Sequence, residues 1–282
     1  MTASNLPIRD IIVVVDLGGE RQAAKIAVEL ARKTGAHLTG LCVAFDPLVA
    51  VYTVGAPIPT DFLVAAREQA AEEAKAAAAA FEALGAAAGV SIETRIVESA
   101  TGDGFIDLAR QARLSDLVVV GQQDPERTEP ARDSLIEAIL FQASAPTLLI
   151  PYIGVNQLKT DRVAIAWNGS ATAARAVRSA LPLIAGAKKV LVAVVEEGGR
   201  KTGEPGADIA TYLARHGLDV TVRTVPWVAN SAGVSLLNFA ADESADLLVM
   251  GAYGHSRMRE FLLGGATREI LLSATLPVFL SH

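Results

Sequence analysis

The chain repeats itself, and a period of about half its length constrains the fold more than any single motif does. An apolar run opens the first half at residues 11–16 (IIVVVD), and another opens the second half at 163–167 (VAIAW). Each is followed by a short polar turn and then by apolar residues at helical spacing. These are Ala23, Ile26, Ala27, Leu30 and Ala31 in one half, and Ala174, Val177, Leu181 and Ile184 in the other. Second strands are expected at 38–44 and 190–195, and third strands at 91–97 and 219–225. The fourth strands, LVVVG at 117–121 and LLVMG at 247–251, are nearly the same string, each preceded by Asp. Closing strands at 147–150 and 277–280 lie beside Pro146 and Pro277. Helical stretches intervene, with Phe105, Leu108, Ala109 and Ala112 in the first half and Leu236, Phe239 and Ala240 in the second.

Each half is thus a strand–helix unit repeated, with a final strand. Right-handed crossovers then place helices on both faces of a parallel sheet. The expected fold class is α/β: two tandem doubly wound parallel five-stranded sheets, with domains at 1–153 and 160–282 and a linker near 151–160. A length of 282 residues suits two domains. Half the residues are hydrophobic but only 5% are aromatic, so Ala, Val, Leu and Ile must fill the cores.

The halves diverge after their second strands. The first carries an insert, 45–89, that starts as a loop containing Val49, Val51, Tyr52 and Val54 and becomes an alanine-rich helix. Glu68, Glu72 and Glu73 on that helix read as a solvated face. The second half has a glycine-rich loop there and a shorter helix.

A net charge of −6 with no basic stripe argues against a nucleic-acid partner. No apolar run is long enough to span a bilayer and no signal segment is evident, so a cytoplasmic location without membrane contact is expected. The single cysteine, Cys42, lies in an apolar run and reads as a buried, inert thiol. His37, His216 and His282 show no metal-ligand spacing.

The chemistry is concentrated at 251–271, GAYGHSRMREFLLGGATREIL. Gly251 ends the fourth strand, Gly254 follows, and Gly264 and Gly265 precede the last helix, which Ala266 and Thr267 open. Glycines at the carboxyl edge of a parallel sheet let main-chain N–H groups approach an anion. A helix N-terminus offers further free N–H groups. His255, Arg257 and Arg259 lie within this loop, either near phosphate or on a solvated face. The chain has no P-loop lysine and no dinucleotide glycine pattern.

This spacing, Gly251-x2-Gly254-x9-Gly264 after LLVM, together with TGAHLTGLCV, DLLVMGAYGHS and LPVFLSH, resembles the ATP-binding members of the universal stress protein family. The resemblance covers both halves and implies the nucleotide-binding α-hydrolase-like fold of that family. It implies phosphate held by Gly251, Gly254, Gly264, Gly265, Ala266 and Thr267, ribose held by Asn168, and adenine set against the main chain near Val192. ATP, or a similar small anion, would be the ligand, with Mg2+ brought by the triphosphate. Two departures stand out: Gly265 replaces the Ser or Thr of the family's ATP pattern, and Asn168-Gly169-Ser170 replaces its Asp-Gly-Ser-like turn. Trp167, beside that turn, is expected to pack in the core.

The first half keeps Asp16 but has QQDPERTEPARDS where the glycine loop would be. Asp124, Glu126 and Glu129 there would repel phosphate, and no glycine opens the helix near Ser134. It is therefore read as a structural copy without nucleotide.

No nucleophile elbow, zinc motif or acid–base carboxylate pair is visible, which fits binding better than turnover. Three functions stay open. One is a nucleotide-binding stress protein, another a nucleotide-free interaction and dimerisation module, and the third a slow ATPase. The resemblance also implies pairing through the final strands, near Ile150 and Leu280, either within the chain as a pseudo-dimer or between copies as a homodimer.

Overall fold

The computed structural model describes residues 7–45, 60–98, 103–127, 129, 132–196, 205–252 and 265–282. Two compact units divide the chain, one spanning Ile8–Tyr152 and the other chiefly Ile153–His282.

The first unit contains β1 (Asp10–Val14), α1 (Gln22–Thr34), β2 (His37–Ala44), α2 (Thr60–Ala88), β3 (Ile92–Glu98), α3 (Asp103–Gln111), β4 (Leu117–Gly121), α4 (Arg132–Gln142) and β5 (Thr147–Ile150). Its strands run in the order β3-β2-β1-β4-β5, and all pairs are parallel. The second unit contains β6 (Arg162–Ala166), α5 (Ala171–Ile184), β7 (Lys189–Val195), α6 (Ala207–Arg215), β8 (Val220–Val225), α7 (Ala232–Asp242), β9 (Leu247–Gly251), α8 (Ala266–Ser273) and β10 (Val278–Ser281). Its order is β8-β7-β6-β9-β10, again parallel throughout.

The fourth and first strands of each unit are buried almost end to end: β1, β4, β6 and β9 show no exposed residue. That is the burial expected when helices cover both faces. α1 turns its Ala23, Ile26, Ala27 and Leu30 face inward and stops at Gly35, whose φ of 69° is left-handed and whose N–H donates to the Ala31 carbonyl. The alanine-rich α2 buries Ala74, Ala77, Ala78, Phe81 and Gly85. Phe81 lies over Gly40 of β2, where a Cβ would come within 2.4 Å of the ring. The missing side chain at Gly40 is the socket for that aromatic. Glu68, Glu72 and Glu73 are exposed, as their helix-face reading requires. The insert loop with Val49, Val51, Tyr52 and Val54 lies outside the described residues.

The aspartate before each fourth strand has a structural duty in both units. Asp116 Oδ2 accepts the main-chain N–H groups of Arg9 and Asp10 at the start of β1. Asp246 Oδ2 accepts that of Arg162 at the start of β6. The repeated Asp therefore fixes the register of the first strand against the fourth, by charge-assisted bonds to donors that the ladder leaves free. Cys42 is fully buried in β2, and burial pushes its thiol pKa up to about 11, as befits an unreactive thiol. Among the described residues no helix is long and apolar enough to cross a membrane.

Candidate functional site

In both sheets the chain moves one way from the first strand to the third and then crosses back to the fourth and fifth. The reversal lies between β1 and β4, and between β6 and β9. At such a switch point the connections leave in opposite directions and open a crevice beyond the carboxyl ends of the strands. Asp16 and Gly121 flank the first crevice, and Asn168 and Gly251 flank the second.

In the second unit, Asn168-Gly169-Ser170 forms a tight turn. The Asn168 side-chain oxygen accepts from the Ser170 N–H at 3.0 Å, Gly169 has φ of 74°, and Ser170 Oγ accepts from the Ala173 N–H to cap α5. The sequence reading missed this capping duty, although Asn-Gly-Ser before an apolar-periodic run is its signal. Asn168 itself is exposed, and its amide nitrogen takes no part in the turn. Trp167 is half-buried, and its main-chain N–H donates to the Ala193 carbonyl.

Gly251 is brought against this turn. A Cβ there would lie 2.6 Å from the Ala173 nitrogen and from the Thr172 carbonyl carbon, so the α5 N-terminus rests directly on the strand end. Gly265 caps α8 in an extended conformation, φ −68° and ψ 157°, with no side-chain cap bond. The start of α8 packs on α7: the Ser231 hydroxyl donates to the Glu269 carboxylate, and a Cβ on Gly233 would come 3.0 Å from the Ala266 carbonyl. Thr267 is 2% exposed and turned into the protein. Val192 is fully buried inside the ladder, opposite Ile165 and Val222. Gly254 and Gly264, with His255, Arg257 and Arg259, lie outside the described residues.

The first unit's crevice is a cavity of about 470 Å³. Of its charged lining the sequence reading has Asp16, Asp124 and Glu129, and lacks Glu20, Glu73 and the arginines. Asp16, Glu20, Glu73, Asp124 and Glu129 line it, as do Arg21, Arg127 and Arg132. At its floor Arg132 Nη2 donates to Asp16 Oδ1 and to Glu129 Oε2, both at 2.6 Å. Glu129 Oε1 accepts the Leu17 N–H at 2.9 Å, and Arg21 donates to the carbonyls of Asp16 and Leu17. Glu129 is therefore tied to Arg132 rather than free in the loop. Asp124 accepts from the Glu126 N–H and shapes the turn. Burial raises the Asp16 carboxyl above its ordinary range against the pull of Arg132, and it raises Glu129 in the same way. Arg132 is the first residue of α4, a place where the helix dipole disfavours a cation. The two carboxylates offset that. A Cβ on Gly121 would come 2.6 Å from Asp16 Oδ1, so the strand end must be glycine for the acid to lie beside it. The legible signal was a lone arginine opening the helix whose counterpart is opened by Gly265 and Ala266.

Comparisons with known proteins bear on both units. Residues 7–151 and 159–282 each match the profile of the universal stress protein family. Universal stress protein Slr1230 of Synechocystis sp. is 27% identical over 176 residues, covering 58% of this chain and 56% of that protein. The chain thus spans little more than half the length of this curated relative. A universal stress protein structure from Archaeoglobus fulgidus DSM 4304 superposes over 96% of this chain and 95% of its own, at 16% identity and a TM-score of 0.70. A functionally unknown protein of Pseudomonas aeruginosa PAO1 follows over 97% and 92%, at 18% identity and a TM-score of 0.55. At these identities the two structures speak for the fold, while the profile speaks for descent. Because that profile recurs in each half, the chain belongs to the universal stress protein family as a tandem of two of its domains.

Proposed function

We propose that the second unit binds an adenine nucleotide, with ATP and its Mg2+ as the reference ligand, and that the chain acts in a cytoplasmic stress response by binding rather than by fast turnover. The observation that carries this reading is the start of α8 at Gly265, which no side chain caps among the described residues. Among the described residues, α5 and α7 are capped by the hydroxyls of Ser170 and Ser231, whereas α8, like α6, opens on a glycine with no side-chain acceptor, and of these two only α8 follows the strand end at Gly251. A phosphate is a natural acceptor for those first-turn N–H groups. Because Thr267 is buried and already partnered, the donors in this reading are the main-chain N–H groups of Gly265 and Ala266, with Gly251, Gly254 and Gly264 shaping the approach. Exposed Asn168 is left to meet ribose. The first unit, with its acid-rich crevice, takes no nucleotide.

Thermal unfolding with ATP and Mg2+ tests the proposal. Ligand at a hundred times its Kd stabilises by about 2.7 kcal/mol, and Gly254→Asp should remove the shift. A flat melting temperature at millimolar ATP refutes nucleotide binding and favours a nucleotide-free docking module. That alternative draws on Gly251, whose lack of a side chain is required by the packing of α5 with or without a ligand. Phosphate release above a Gly254→Asp control would instead mark a slow ATPase.

A further inference from the structure

We infer that the first unit is closed by an internal ligand: the Glu129 carboxylate fills an oxyanion position in the crevice, and a small external carboxylate or phosphate binds there only in its place. The position is defined by its donors. Glu129 Oε1 accepts the Leu17 N–H at 2.9 Å, and Oε2 stands 2.6 Å from Arg132 Nη2. Each carboxylate oxygen thus meets one donor, a main-chain amide from the turn after β1 and a guanidinium from α4. Charge-assisted pairs of this kind are what hold a bound carboxylate or phosphate. Leu17, Glu129 and Arg132 all line the cavity of about 470 Å³. Arg132 is buried, whereas the Glu129 side chain is 17% exposed and Leu17 is half-buried, so the position is approached from their side.

The closing helices of the two units show what Glu129 replaces. Their buried positions coincide when Arg132 is set on Thr267, Leu135 on Ile270 and Ile139 on Ala274. In that register Glu129 falls at the sequence position of Gly264. Here the inference rests on the phosphate role proposed for the glycines of the second unit. Where that unit has a residue with no side chain, the first has one that ends in an oxyanion. Charge makes the exchange one for one. The lining carries five carboxylates and three arginines, so an anion added beside Glu129 meets net repulsion. An anion that takes the place of the Glu129 carboxylate leaves the charge of the crevice unchanged.

The test is amide chemical-shift mapping of the full chain at neutral pH with sodium acetate and, separately, inorganic phosphate, against sodium chloride at matched ionic strength. Wild type is compared with Glu129→Ala, Glu129→Ser and Glu129→Gln. The two shortened variants leave Arg132 paired with Asp16, so no buried guanidinium is stranded. They should bind acetate or phosphate, moving the Leu17 amide, at least about tenfold more tightly than wild type, in which the tethered carboxylate competes at high local concentration. Glu129→Gln removes the charge but still fills the position, and should bind no better than wild type. The inference is overturned if both anions leave Leu17 unmoved in the shortened variants, or if wild type binds as well as they do. It is also overturned if Glu129→Gln binds as tightly as Glu129→Ala, which would make charge alone the barrier. ATP titration of the Gly251 and Gly265 amides in wild type reports the nucleotide proposal separately, so either can fail alone.

Discussion

Replacing Arg132 by Met should strongly destabilise the first unit. Arg132 Nη2 stands 2.6 Å from a carboxylate oxygen of both Asp16 and Glu129, whose side chains are each 17% exposed. With charge centres near 4 Å and an effective dielectric of 20, each pair contributes about 4 kcal/mol. Two pairs give about 8 kcal/mol, from which several kcal/mol of arginine desolvation must be subtracted, leaving a loss of about 3–5 kcal/mol when the guanidinium is removed. For a unit of this size that is a fall in melting temperature of roughly 10–15 °C. The triple change Asp16→Asn, Arg132→Met, Glu129→Gln removes all three charges and should regain most of the loss, because no buried carboxylate is left unpaired. Urea unfolding followed by far-UV circular dichroism measures the effect. Tryptophan fluorescence reports the other unit, since Trp167 and Trp227 both lie there. A single-variant loss below about 1 kcal/mol, or a triple variant no more stable than the single one, would refute the claim that this ion cluster is buried and mutually compensating.

The same cluster predicts a pH dependence of unusual sign. Because burial raises Asp16 and Glu129 above 3.8 and 4.5, the native state holds more protons than the unfolded chain as pH rises past those values. Their contribution is therefore fully present below the unfolded values and lost as pH climbs through the folded ones. Against Asp16→Asn, Glu129→Gln as reference, wild-type stability should fall on going from acid to neutral pH, and a rise would contradict the direction. Gly40→Ala places a methyl group 2.4 Å from the Phe81 ring and should cost about 1–3 kcal/mol in chemical denaturation. Ser170→Ala removes the cap of α5 and should cost about 1 kcal/mol, read the same way from tryptophan fluorescence. Cys42, with its thiol pKa pushed up to about 11 in a fully buried strand, should react with a disulfide reagent at pH 8 only as fast as the unit opens, so labelling as rapid as that of a free thiol would place it at the surface.

Much of the architecture was open to reading along the chain. The expected strands at 117–121, 147–150 and 247–251 match the observed ones, and the others differ by a residue or two at their ends. Those ends depend on where the ladder bonds stop, which no local preference specifies. The site was less legible. Glycine spacing pointed to Gly251, yet what rests on Gly251 is the main chain of Thr172 and Ala173, from a different helix. Asn168 was read as a ribose ligand without its role in the turn that caps α5. The acids of the first unit were read as bare repulsion, because Arg132 and Asp16 are 116 positions apart and nothing in either local string announces their pairing.

Alternating apolar strands and helix-spaced faces, written twice, were enough to determine two parallel α/β units. Burial of apolar surface depends on local periodicity, and periodicity is carried by neighbours in sequence. Which charges meet, which glycines are pressed by another backbone, and which polar atoms are left unpaired were decided by the tertiary structure. Those interactions depend on distances of a few ångströms between residues that only the crossover connections bring to one edge of a sheet.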